Sequence, residues 1–145
     1  FGGAYGEDLD DVARRTNLST AEVVALHTEA DYRVYMLGFS PGFAYLGALP
    51  KALHLPRRET PRLKTPAGSV MQGGAQAAIS PTAMPSGWHI LGRTPVRIFD
   101  LAAARPFLLS PGDHVRFVAV PPARFTGLAA LAERGALAPD SEALS

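Results

Sequence analysis

The sequence predicts a mainly β domain, a small barrel or sandwich with flanking helices. Short runs of branched and aromatic residues recur through the middle of the chain. Proline and glycine, 13 and 14 residues in all, punctuate those runs. Helix-like patterns are confined to the two ends. Many short strands separated by Pro/Gly turns are the signature of all-β architectures.

Two helices are expected first. Asp8 to Arg15 (DLDDVARR) carries its acids early and its arginines late, which suits the helix dipole. Ser19-Thr20-Ala21-Glu22 is a capping-box pattern ahead of Val23, Val24 and Leu26, with the second helix running to about Glu29. Tyr32 to Leu37 (YRVYML) then reads as a strand. Further strands are expected at Gly68 to Gln72, Ala75 to Ser80, Trp88 to Leu91, Val96 to Phe99 and His114 to Val120. Pro121-Pro122 ends the last of these. Ala123 to Arg134 predicts a C-terminal helix capped by Gly135, with a frayed tail after Pro139.

Composition narrows the function. The 145 residues are the usual size of one domain and should bury roughly 70% of the surface exposed by the unfolded chain. There is no cysteine, so disulfides, thiolate zinc ligands and a cysteine nucleophile are excluded. A net charge of +1 lacks the basic stripe of a nucleic-acid binder. No unbroken apolar segment reaches the length of a membrane span, and no secretory signal is present. The reading is a cytoplasmic protein with neither a nucleic-acid nor a membrane partner. The opening on Phe1 and Gly2-Gly3 suggests a fragment.

Several segments carry candidate chemistry. Arg57-Arg58-Glu59-Thr60-Pro61-Arg62 packs three guanidinium groups, a carboxylate and a hydroxyl into six residues, stiffened by Pro56 and Pro61. Arginine forks bind carboxylate or phosphate bidentately, so the loop could hold an acidic substrate, with Glu59 orienting an arginine or acting as a base. A solvated charged loop is the plain alternative. Gly38-Phe39-Ser40-Pro41-Gly42-Phe43-Ala44-Tyr45 is either a tight backbone against a ligand or a hairpin with an aromatic plug. Its serine lacks the helix that a nucleophile elbow requires. Gln72 or Gln76 could hydrogen-bond an amide, although Gly73-Gly74 fits a bulge equally well. Arg93 and Thr94 are a second candidate pair for an anion, or purely structural. The four histidines lack metal-ligand spacing, so no metal is expected. No phosphate-binding glycine loop is present.

The strings YRVYMLGFSPGFAYLGALP, LHLPRRETPR, PAGSV, SGWHILGRTP and PGDHVRF, in this order, resemble the allophanate hydrolase subunit 1 family. That family includes KipI and the B-subunit of prokaryotic 5-oxoprolinase. The resemblance runs from about Phe1 to Val120. It implies a cyclophilin-like β-barrel over 32–145 with a C-terminal helix, and a helical linker over 1–31 from a missing N-terminal domain. It also implies a KipA-like (allophanate hydrolase subunit 2) partner, ATP as the cofactor, and hydrolysis of a small amide, lactam or urea-like substrate. In this expectation Glu59 and Arg93 are catalytic, while Arg58, Thr60, Arg62, Gln76 and Thr94 bind substrate within walls made by Phe43 and Tyr45. KipI-like inhibition of a sensor histidine kinase is the alternative. Two departures from the family pattern bear on specificity. Gln76-Ala77-Ala78-Ile79-Ser80-Pro81 replaces Gln-Thr-Gly-Ile-Tyr-Pro, and Pro85-Ser86-Gly87-Trp88 replaces Pro-Gly-Gly-Trp.

Overall fold

The computed structural model of the protein describes residues 1–135, 137 and 139; the expected frayed tail lies outside the described residues. Helix α1 (Leu9–Thr16) ends at Asn17, whose left-handed φ of 59° turns the chain so that the Leu18 amide donates to Ala13 O at 2.9 Å. Helix α2 (Thr20–Glu29) starts at the expected capping box. The Ser19 hydroxyl accepts from Glu22 N at 3.1 Å, and the Glu22 carboxylate accepts from Ser19 N at 3.2 Å. Helix α3 (Pro122–Glu133) begins on a proline, which lacks only an amide hydrogen that the first turn leaves unbonded anyway.

Between the helices lie eight strands: β1 (Tyr32–Leu37), β2 (Ala44–Gly47), β3 (Arg62–Thr65), β4 (Ser69–Gly73), β5 (Gln76–Ile79), β6 (Met84–Ser86), β7 (His89–Arg93) and β8 (His114–Val115). Six form one antiparallel sheet in the order β7-β4-β5-β2-β1-β8, and β3 pairs with β6 in a separate ribbon. The protein is mainly β with flanking helices, as expected. Among the described residues no ladder joins β7 to β8. The outer edge of β7 is instead covered by the N-terminal segment, where Gly2 N donates to Leu91 O and Asp8 N to Ile90 O, both at 3.0 Å.

Two strand expectations are corrected. Val96 to Phe99 forms no strand, only a bridge between Phe99 and Phe107. Beyond Val115 the segment to Val120 continues without ladder partners, so its alternating pattern reflects packing of Val115 and Phe117 on the core.

Over β2, β4, β5 and β7 the sheet is buried on both faces. On one, Tyr32, Val34, Ala44, Leu46, Ala77, Ile79 and Leu91 meet Leu9, Val12 and Val23 of the two N-terminal helices. Residues 1–31 are therefore built into the same core as the sheet. On the other face, Phe43, Met71, Ala78, Met84, Trp88 and Ile90 form a second cluster, with Tyr45 against it. Burial on two sides explains why β4 reads SVMQG with every residue buried rather than alternating. Gly73 is required here, because a Cβ at this position would stand 2.8 Å from the Trp88 ring.

Candidate functional site

Asp8, the residue just before α1, is fixed from several directions at once. Its backbone amide bonds the edge of β7, and the Ile90 amide donates back to its Oδ2 at 2.8 Å. Arg62, at the start of β3, closes a bidentate fork on the same carboxylate, Nη1 to Oδ2 at 2.6 Å and Nη2 to Oδ1 at 2.7 Å. Arg58 Nε stands 3.9 Å from Asp8 Oδ1, and Glu7 approaches Arg62 at 3.4 Å. Burial alone would raise the Asp8 pKa. The Arg62 and Ile90 hydrogen bonds and the charges of Arg62 and Arg58 outweigh it, holding the carboxyl below its ordinary value. The bond to Asp8 in turn raises Arg62.

A polar cavity of about 300 Å³ opens beside this cluster, lined by Asp8, Asp11, Arg15, Arg58, Glu59 and Thr60. Asp11 is paired with both Arg14 and Arg15. Arg58 differs from the other cations here. Its Nη1 is buried and has no hydrogen-bond partner, a costly arrangement unless something else supplies an acceptor. The loop that carries it is anchored at its start, Arg58 N donating to Gly87 O at 2.7 Å and His89 Nε2 to Pro56 O at 2.9 Å.

The structure brings together only part of the expected constellation. Arg58, Glu59 and Thr60 line the cavity, and Arg62 stands behind it with both oxygens of Asp8 in its fork, so it is not open to an anion. Arg93 is elsewhere, with its guanidinium 5.6 Å from the centroid of the Tyr5 ring. The Thr94 hydroxyl accepts from Val96 N at 3.2 Å. Gln76 stands at the turn of the β4–β5 hairpin, opposite Gly73. Gln72 instead is buried between His27 and the Leu53 carbonyl. Phe43 and Tyr45 do not wall this cavity. They pack at 4.9 Å on each other and at 6.2 Å on Trp88, the aromatic plug of a hairpin between β1 and β2.

That hairpin loop borders a second, apolar groove of about 480 Å³, lined by Leu37 to Gly42 and Phe107. Ser40 Oγ is buried there without a partner. Ser80, where the family pattern has tyrosine, is a core hydroxyl. It accepts from Ser69 N at 3.0 Å and donates to Pro66 O at 2.8 Å. Among the described residues no group of three or more His, Cys, Asp or Glu could hold a metal ion, and no helix is long and apolar enough to cross a membrane.

The family described as "Carboxyltransferase domain, subdomain C and D" matches residues 1–109. The chain belongs to that family. It is 53% identical over 118 residues to the 5-oxoprolinase B-subunit of Escherichia coli O157:H7, covering 81% of this chain and 54% of that protein. A solved structure of a conserved uncharacterized protein from Pyrococcus horikoshii is 44% identical with a TM-score of 0.83, covering 86% of this chain and 58% of the other. Urea amidolyase of K. lactis, 24% identical with a TM-score of 0.74 over 89% of this chain and 8% of its own, shares the fold. The resemblance to the 5-oxoprolinase B-subunit read from the motifs is thus met by relatives bearing that name. The chain spans about half the length of the curated relatives it matches.

Proposed function

We propose that this chain is the substrate-handling part of an ATP-dependent, 5-oxoprolinase-like amidohydrolase, acting on a small lactam, amide or urea-like molecule together with a KipA-like sister subunit. Relatives 44–53% identical are named as one subunit of 5-oxoprolinase, which supports a place in a hydrolase complex. The observation that carries the assignment to a site is an arginine, Arg58, that lines a polar cavity while its Nη1, closed off from solvent, has no hydrogen-bond partner.

Opening an amide needs donors aimed at the oxygen on which negative charge develops. Arg58 supplies them from a loop already fixed at Gly87 and Pro56. Glu59 stands next to it as the carboxylate that orients or deprotonates a water, and Thr60 adds a hydroxyl. ATP enters as a co-substrate of the assembly. The lining has no glycine-rich phosphate loop, and its Arg15 is already paired with Asp11, so no step at this cavity is routed through the nucleotide.

The test is turnover of 5-oxoproline by the complex reconstituted with its sister subunit. Loss of one oxyanion donor typically costs 10²–10³ in rate, so Arg58→Ala should lower kcat/KM by about 100-fold or more. Wild-type turnover by Arg58→Ala would dismiss the site.

A further inference from the structure

Arg62 and Arg58 approach the same carboxylate in different ways. Arg62 takes both oxygens of Asp8, at 2.6 and 2.7 Å. Arg58 is left at 3.9 Å, close enough to be attracted but with no oxygen available for a fork of its own. Asp8 does not depend on the loop for its place, since the edge of β7 holds it through Ile90 N–H and C=O. The N-terminal segment therefore sets the position of the charge, and the loop from Pro56 to Arg62 closes onto it.

We propose that Asp8 is the positioning residue of this cavity, holding Arg58 by charge while Arg62 occupies the fork, so that Arg58 Nη1, shielded from water, keeps its donors unpaired until an acceptor oxygen of the substrate reaches it. The inference rests on the cavity being the substrate site. It assigns to Asp8 no contact with substrate; Asp8 acts through Arg58 alone. A guanidinium has five N–H donors in a fixed plane, and an approach from the Nε side leaves the Nη1 donors unmatched. Without Arg62 in the fork, Arg58 would be drawn into a bidentate pair and its free donors lost. The two arginines thus have separate tasks, one to neutralise Asp8 and one to remain unsatisfied beside it.

A double-mutant cycle on the reconstituted complex tests this, with 5-oxoproline as the probe and with KM, kcat and the urea midpoint measured for Asp8→Asn, Arg58→Ala and the pair. Asp8→Asn should lower kcat/KM about tenfold, within the coupling range of contacting groups, chiefly through kcat. In the Arg58→Ala background the same substitution should leave kcat/KM unmoved. An equal effect on kcat/KM in both backgrounds would make Asp8 a structural residue only and overturn the proposal. No effect of Arg58→Ala on either constant would remove the cavity as substrate site, and the positioning role with it. Should Asp8→Asn fail to fold, Asp8→Glu keeps the charge but displaces Arg58 by a methylene, and the same cycle applies.

Discussion

At the scale of single residues, the Asp8–Arg62 pair matters most for stability because both groups are largely withdrawn from water, with side-chain exposures of 9% and 18%. Removing one partner of such a pair leaves an uncompensated charge, which costs more than the pair itself contributes. Arg62→Met should therefore destabilise the fold by about 3 kcal/mol. Arg62→Lys keeps the charge but loses the fork, and should cost about 1 kcal/mol. Urea denaturation of the two variants beside the parent measures the difference, and an Arg62→Lys midpoint equal to the parent's would contradict a bidentate role. The arginines of this cluster were legible in the sequence because three of them crowd into six residues beside two prolines. Asp8 was not. As a sequence letter it is one of three acids at a helix start, and only the fold brings it to Arg62 and to the edge of β7.

At the scale of elements, the segment Gly2 to Asp8 behaves as an additional edge on the sheet, which is why Gly6 has no room for a side chain. A Cβ at Gly6 would run into the Leu91 carbonyl. Gly6→Ala must push the segment off β7, and overpacking of this kind costs about 1–3 kcal/mol. Because Asp8 rides on the same segment, the role proposed for it predicts a lower kcat/KM in the reconstituted complex as well. Amide exchange at Asp8 and Ile90, read in parallel with kcat/KM, checks whether the two losses travel together. The three helices, β1, β4, β5 and β7 were readable from caps, periodicity and branched runs. The central strand β2 was hidden, being four residues that end on Gly47 in a segment dominated by turn formers. The ribbon of β3 and β6 was hidden too, since β6 is three residues around Pro85 and Leu63 in β3 is 92% exposed. Short strands that lean on tertiary partners leave little period to detect.

At the scale of the whole molecule, α2, β1 and β4 and the turn at Leu53 are tied by one buried polar chain, and it gives the fold a defined response to acid. Tyr32 O–H donates to His27 Nδ1 at 2.8 Å. His27 Nε2–H then donates to the Gln72 carbonyl oxygen at 3.1 Å, and Gln72 Nε2 donates to Leu53 O at 2.6 Å. Every donor has an acceptor when His27 is neutral, and Nδ1 has no proton in that arrangement. Burial lowers the His27 pKa from 6.5 to about 4, against the raising effect of Gln72, and burial likewise pushes the Tyr32 phenol up. The folded state thus binds this proton less readily than the unfolded chain. The contribution of neutral His27 is complete above pH 6.5, and it declines as the pH falls from there to about 4. The total change is roughly 3 kcal/mol, with a limiting slope of about 1.4 kcal/mol per pH unit. The lowered Asp8 carboxyl adds its own loss only below its ordinary value of 3.8, so the two groups act in separate windows. Urea midpoints taken at intervals between pH 7 and 4 should fall along this slope, and His27→Gln, which can still accept from Tyr32, should flatten it. A parent protein whose stability is constant over that interval would mean that the folded and unfolded chains take up the His27 proton alike, so that the core accepts the imidazolium and His27 Nδ1–H donates to the Tyr32 oxygen at the first link.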